Sequence, residues 1–303
     1  VVTGQSEFDQ STFSYLYRLN PPDTEEATAD VAIAKSKGFT RVALVFGNDI
    51  GSQSFVGPAE KALTTAGITL ADSESLNLSA PSFRTEVAKV LASHPDAILT
   101  ETVGPAAASF FSELKAQNGG KLLPMVSSSN GTNPDWYDAV SKAVGAAELS
   151  RVFSADTLHV DLSGAAYDGY VAALVASNAS PAAKLDYYKS SPYTIRVYDA
   201  AVLCALAMTD AKSIDPAIYQ SHIKAIAAGG AGAVDVETYA AGLAALAQGQ
   251  KIHYIGASGA INFNQYNNNA GTYQIVGVSL TGATTIEGQI SPTEIATLKG
   301  SGG

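Results

Sequence analysis

The stretch Val42–Phe55, VALVFGNDIGSQSF, runs from an apolar β-type segment through a polar turn flanked by two glycines and into a new segment. What that turn can carry decides between a phosphate-binding, a catalytic and a binding-only α/β protein. A Walker loop needs G-x-x-x-x-G-K-[ST], and GNDIGSQ has neither the spacing nor the lysine. A dinucleotide fingerprint needs three glycines between strand and helix, and only Gly47 and Gly51 are present. The nucleophile elbow G-x-S-x-G occurs nowhere in the chain. A strand-to-helix turn at the carboxyl end of a parallel strand remains, which is where open α/β sheets bind ligands.

Both flanks repeat the same unit. TEEATADVAIAKSKG (24–38) reads as a helix closed by Gly38, RVALVF (41–46) as a strand, GPAEKALTTAG (57–67) as a helix closed by Gly67, and ITLADSESL (68–76) as the next strand. Then come a helix in APSFRTEVAKVLASH (80–94), a strand in DAILTE (96–101), a helix in GPAAASFFSELKAQNGG (104–120) and a strand in KLLPMVSS (121–128). Short β-rich runs alternating with apolar residues at helical spacing predict an α/β fold with a parallel sheet. From about Asp156 long alanine-rich helical stretches follow, at 164–177, 192–211, 216–230 and 236–249. The tail GASGAINFNQYNNNAGTYQIVGVSL (256–280) predicts a hairpin of two β segments joined by NQYNNNAG (264–271).

The 303 residues are 46% hydrophobic and 15% charged, enough to bury one large or two medium cores. A formal net charge of -10 opposes the phosphate backbone that nucleic-acid binders must neutralise, so DNA and RNA are discounted as partners. No run of about eighteen apolar residues predicts a membrane-spanning helix. The single cysteine, Cys204, cannot form an intramolecular disulfide and reads as a core residue within AAVLCALAM. VVTGQSEFDQ lacks the basic start and apolar middle of a signal peptide, so the chain is either not exported or already processed.

His94, His159, His222 and His253 show no i, i+4 pair and no cysteine partner, which gives a metal site no support; no cofactor is expected. Glu25 and Glu26 open a predicted helix, where negative charge complements the dipole. The tyrosines of DYY (186–188) and YTIRVYDA (193–200), Tyr198 first among them, either line a pocket or pack with their hydroxyls at a boundary. The triplets at Asn77, Asn130 and Asn178 fit the N-glycosylation pattern, which has meaning only in a secreted eukaryotic protein.

Taken in order, four pieces resemble the type I periplasmic binding proteins of ABC transporters, in particular the branched-chain amino-acid and amide receptors. They are FSYLYRLNPPDTEEATADVAIAKSKGFTRVALVFGNDIGSQSF (13–55), FRTEVAKVLASHPDAILTETVGPAAASFFSELKAQNG (83–119), YTIRVYDAAVLCALAM (193–208) and KIHYIGASGAINFNQYNNNAGTYQIVGV (251–278). The resemblance implies a two-lobed α/β fold with parallel sheets flanked by helices, three hinge crossings, and a small polar solute trapped between strand-end loops for delivery to a membrane permease. It places the crossings near Asn20 to Thr24, Ser154 to His159 and Tyr254 to Gly259. Residues 1–20 would end the amino-terminal lobe, 24–154 form the carboxyl-terminal lobe, 158–252 return to the first, and 256–303 carry the hairpin back to the second, with a tail.

The family opens with about three βα units, of ~30 residues each, before the segment matching VVTGQS. Their absence predicts that a preceding segment of a longer polypeptide or a partner chain completes the first lobe. It also implies a receptor outside the cytoplasmic membrane, periplasmic or extracellular, free or lipid-anchored through such a segment. Where amino-acid receptors place two aromatic residues and a carboxylate, this chain has Ile50, Val103 and Ser128. An ammonium left unpaired would be costly, so an amino-acid solute requires Asp49, Glu101 or Asp199 in that role, and an uncharged or anionic metabolite fits the substitutions better. The candidate ligand-binding residues are Thr3, Ser6, Asp49, Ile50, Thr102, Val103, Ser128, Tyr198 and Asp199. An α/β enzyme using Asp49, Glu101 or Asp199 as acid or base, and a ligand-free sensory or assembly module, are the rival readings.

Overall fold

A computed structural model describes residues 4–178 and 184–300. Two compact units account for them: residues 1–22 with 159–271 (unit 1) and 23–158 with 272–303 (unit 2).

Unit 2 is built on a seven-stranded sheet. Its parallel strands are β1 (Arg41–Gly47), β2 (Thr69–Leu76), β3 (Ala97–Glu101), β4 (Met125–Ser127) and β5 (Phe153–Leu158). The strands β9 (Tyr273–Val278) and β10 (Thr284–Ile290) follow antiparallel, giving the order β10-β9-β5-β4-β3-β1-β2. The β1 sequence VALVF alternates onto two covered faces, which is why it reads as a continuous apolar run. Ala43 and Val45 join Ile98, Met125 and Phe153 in a core roofed by the helices α4 (Arg84–Ala92), α5 (Gly104–Gln117), α6 (Pro134–Val144) and α7 (Ala146–Val152). The opposite face is covered by α1 (Asp23–Ser36), against which α3 (Val56–Ala66) and α13 (Pro292–Lys299) pack. Because α1 lies between the sheet and these two helices, all of Ala27–Ala34 are buried and the helix has no solvent stripe.

Unit 1 has a three-stranded sheet, β6 (Val234–Val236), β7 (Ile252–Gly256) and β8 (Gly259–Ala260), in that order. Around it stand α8 (Ala165–Ser177), α9 (Leu185–Ser190), α10 (Pro192–Ala211), α11 (Pro216–Ala228) and α12 (Tyr239–Ala247). Its core gathers Tyr17, Leu19, Leu203, Leu206, Ile226, Ile252 and Tyr254. Of the fifteen large apolar side chains exposed among the described residues, ten belong to this unit, including Phe13, Ile214, Ile218 and Leu243. Cys204 is half-buried rather than a core residue, and it borders a cavity of about 320 Å³ with Tyr17, Leu203 and Tyr219.

Two expectations about the tail need correction. The two β segments expected within 256–280 do not pair with each other; the hairpin present joins β9 to β10 through Ser279–Ala283, where the Ser279 amide donates to Ala283 O at 2.8 Å and Gly282 takes φ 83°. NQYNNNAG is not its turn, because the asparagines are engaged inside unit 1. Asn268 Oδ1 accepts from Arg18 Nε at 2.8 Å, Asn268 Nδ2 donates to Asp9 O at 2.7 Å, and Asn269 Nδ2 donates to Leu19 O at 3.2 Å. Fully buried Arg18 also ion-pairs Asp9 at 2.6 Å, so its charge is compensated. The third passage between units consequently falls at 271/272 instead of within Tyr254–Gly259.

Candidate functional site

In unit 2 the parallel strands end on one edge, and the loops that leave them carry five of the nine candidate residues: Asp49 and Ile50 after β1, Thr102 and Val103 after β3, and Ser128 after β4. Their side chains are in different situations. Ile50 is 76% exposed and Val103 43%, whereas Thr102 and Ser128 are buried. The Ser128 hydroxyl donates to Glu101 Oε2 and accepts from the Asn130 amide, so it orients Glu101 from below the surface.

Asp49, expected to face a ligand, is the N-cap of α2 (Ile50–Ser54). Its carboxylate accepts from Ser52 N at 3.0 Å and Ser52 Oγ at 2.6 Å. Burial pushes this carboxyl up, but the hydroxyl and amide hydrogen bonds from Ser52 outweigh it and hold the group below its ordinary value. The cap also explains Gly47, where a Cβ would sit 2.7 Å from Asp49 Oδ2. Asp49→Ala should cost about 1 kcal/mol of unit 2 stability and Asp49→Asn far less, read from urea midpoints.

Three residues that sequence reasoning did not assign to the edge help build it. Glu26, read as a dipole partner, accepts from Ser129 N at 3.1 Å and Ser129 Oγ at 2.6 Å and so ties the first turn of α1 to the end of β4. Asn130, read as part of a glycosylation triplet, donates through Nδ2 to Thr102 O at 3.0 Å. Trp136 Nε1 donates to the same carbonyl at 3.1 Å. The N-x-[ST] pattern conceals such a role because a triplet says nothing about what its amide meets across the sheet.

The edge is acidic. Glu101 is pushed well above its ordinary value by burial and then by the negative charges of Glu26, Asp30, Asp49 and Asp23. Exposed Ile50 and Val103 stand on the loops after β1 and β3, and Glu101 is the half-buried last residue of β3.

The other candidates belong to unit 1. Thr3 lies outside the described residues. Ser6 is exposed in the short 3₁₀ turn Ser6–Phe8. Tyr198 is half-buried, edge-on to Tyr170 with centroids 5.5 Å apart. Asp199 is a correction: it is 0% exposed, and both oxygens are engaged. Tyr254 Oη at 2.8 Å and Ala257 N at 3.2 Å donate to Oδ1, while Ser258 N at 2.7 Å and Ser258 Oγ at 2.5 Å donate to Oδ2. It ties α10 to the β7–β8 turn and presents no free oxygen to a solute. A Cβ on Gly256 would meet this carboxylate at 2.4 Å, so Gly256→Ala should cost about 1–3 kcal/mol in a denaturation experiment.

Among the described residues no group of three or more His, Cys, Asp or Glu side chains is placed to hold a metal ion. His222 Nδ1 pairs with Asp210 at 2.6 Å and His253 Nδ1 with Asp235 at 2.8 Å, both within unit 1. No described helix is long and apolar enough to cross a membrane.

A mostly parallel sheet covered by helices on both faces, with its strand-end loops gathered on one edge, is an open α/β architecture, in which ligands bind at the carboxyl ends of the strands. The chain belongs to the periplasmic binding protein family, whose model matches residues 1–227. Its fold is the type I form of that family, shared with solved structures at low identity. A leucine-binding protein of Thermotoga maritima superposes with a TM-score of 0.71 at 16% identity, covering 96% of this chain and 72% of that one. A branched-chain amino-acid ABC transporter protein of Thermus thermophilus with bound valine gives 0.69 at 14%, covering 97% and 72%. A solute-binding protein of R. palustris in complex with benzoate gives 0.62 at 15%, covering 90% and 64%. No curated protein sequence matches the chain. The family and the fold are those of solute-binding receptors and imply an extracytoplasmic location.

Proposed function

We propose that this chain is the solute receptor of an ABC importer, acting outside the cytoplasmic membrane, free or lipid-anchored, and that it captures a small polar metabolite: an amino acid, an amide or an organic acid. The observation that carries the reading is the gathering of Asp49, Ile50, Thr102, Val103, Ser128 and Glu101 on one strand-end edge in a chain of this family. In this reading Ile50 and Val103 support the apolar part of the solute, and Glu101, set by Ser128, meets a polar group. Because the charges around Glu101 are negative, the group it meets is an uncharged donor or acceptor or an amine, and any carboxylate of the solute lies away from it.

Titration calorimetry with amino acids, their amides and small organic acids tests this. One group of compounds should bind with micromolar or tighter affinity, and Glu101→Gln should weaken that binding at least tenfold, about 1.4 kcal/mol. No binding across the panel would reject the receptor reading. The apolar side chains exposed on unit 1 favour one further reading, a ligand-free assembly or sensory module that uses such surfaces for contact with other chains. Native mass spectrometry showing stable association without any solute binding would select it.

A further inference from the structure

Asp30 of α1 and Asp156 of β5 lie in the interior of unit 2, 2% and 0% exposed. They stand on elements packed against each other, and each carboxyl acts on the other. No donor reaches either oxygen of Asp156 or Oδ1 of Asp30. Two buried like charges this close cannot both ionise, and two carboxyl groups can hydrogen-bond to each other only if one carries the proton.

Among the described residues no cation compensates the pair. On α1 itself the nearest titratable group is Glu26, and on β3 it is Glu101; both are acidic and act on the pair. The segments Met125–Ser127 of β4 and Ser129–Thr132 contain no titratable side chain. Tyr273 of β9 stands opposite Leu158. Charges on the elements outside α1 are engaged elsewhere or turned outward: Lys299 of α13 on Glu25, Glu287 of β10 on Lys37, Glu60 and Lys61 of α3 exposed, and Glu294 half-buried at the α13 amino end.

We propose that the Asp30–Asp156 pair is a proton-held clasp between α1 and β5, so that the seating of α1, and with it the Glu26–Ser129 contact at the strand-end edge, depends on pH. Glu26 precedes Asp30 by one helical turn, so a shift of α1 away from β5 displaces both. The proposal does not depend on which solute the protein takes. Burial, then the neighbouring acids, hold both carboxyls well above the ordinary range. The folded state therefore keeps protons that the unfolded chain releases, and the clasp's contribution is complete at pH values below the ordinary carboxylate range and is lost as pH rises through the raised values.

The test compares the full chain with Asp156→Asn, whose amide is a permanent donor to Asp30. Between about pH 5 and about pH 9 the wild-type melting temperature should fall, and the α1 amides of Ala27–Ala34 should exchange with solvent faster relative to those of β1. Asp156→Asn should flatten both trends and melt at least about 4 °C higher than wild type at the alkaline end. Infrared spectra of the wild type with isotope-labelled aspartate provide a second readout should the variant not fold: a protonated aspartic acid carbonyl band should persist at neutral pH. An unchanged pH slope in Asp156→Asn, or no such band in the wild type, overturns the proposal.

Discussion

Asp199→Ala is expected to lower the melting temperature of unit 1 by on the order of 10 °C, since it strips the acceptor from several buried donors at once. Tyr254 Oη, Ala257 N, Ser258 N and Ser258 Oγ all donate to this one carboxylate, and the residue is wholly enclosed. Each donor left unpaired costs about 1–3 kcal/mol, although the two hydroxyls can rotate in search of other partners, so a total near 3–5 kcal/mol is reasonable. Burial and the Asp199 charge hold the Tyr254 phenol above its ordinary value, so it stays a donor throughout the usable pH range. Asp199→Asn keeps one acceptor oxygen but turns an amide toward backbone donors, and should recover less than half the loss. The measurement is thermal unfolding followed by circular dichroism, with hydrogen exchange to localise the change to α10, β7 and the turn after it. A variant as stable as wild type would show that these bonds contribute little. A solute affinity that falls with no change in stability would restore Asp199 to the ligand-binding set.

Trp136→Ala should produce a loss of similar size in unit 2. The indole is 3% exposed, packs on Phe153 with centroids 5.6 Å apart and on Phe111 at 6.5 Å, and hydrogen-bonds Thr102 O. Emptying that space costs about 3–5 kcal/mol by large-to-small truncation. Trp136→Phe retains an aromatic ring and loses the bond, for about 1–2 kcal/mol. Thr102 and Val103 stand on the loop this bond anchors, so Trp136→Phe should also weaken solute binding more than its small stability cost suggests. As the chain has one tryptophan, wild-type unfolding of unit 2 can be followed by fluorescence and the variants by circular dichroism. Equal stability of wild type and Trp136→Ala would remove Trp136 as the anchor of the edge.

What the linear sequence determined is the order of elements in unit 2. VALVF, DAILTE and the helices after them are local patterns: apolar runs of strand length, helical spacing, and the glycines at 38 and 67 with φ 78° and 72° that end helices. The strand-end loops were legible for the same reason, because a parallel βα unit puts its loop at the carboxyl end of the strand wherever it occurs. What the tertiary structure alone decided is the use of each polar side chain. Asp49 caps its own helix, Asp199 is consumed by the turn after β7, and Asn268 serves Arg18 and Asn269 the Leu19 carbonyl, each from 250 residues away. Asp30 and Asp156 meet only because α1 lies across β5. Backbone propensity is a property of neighbours in sequence, whereas the partner of a buried charge is whatever the packed elements bring within hydrogen-bonding distance, and no local pattern encodes that.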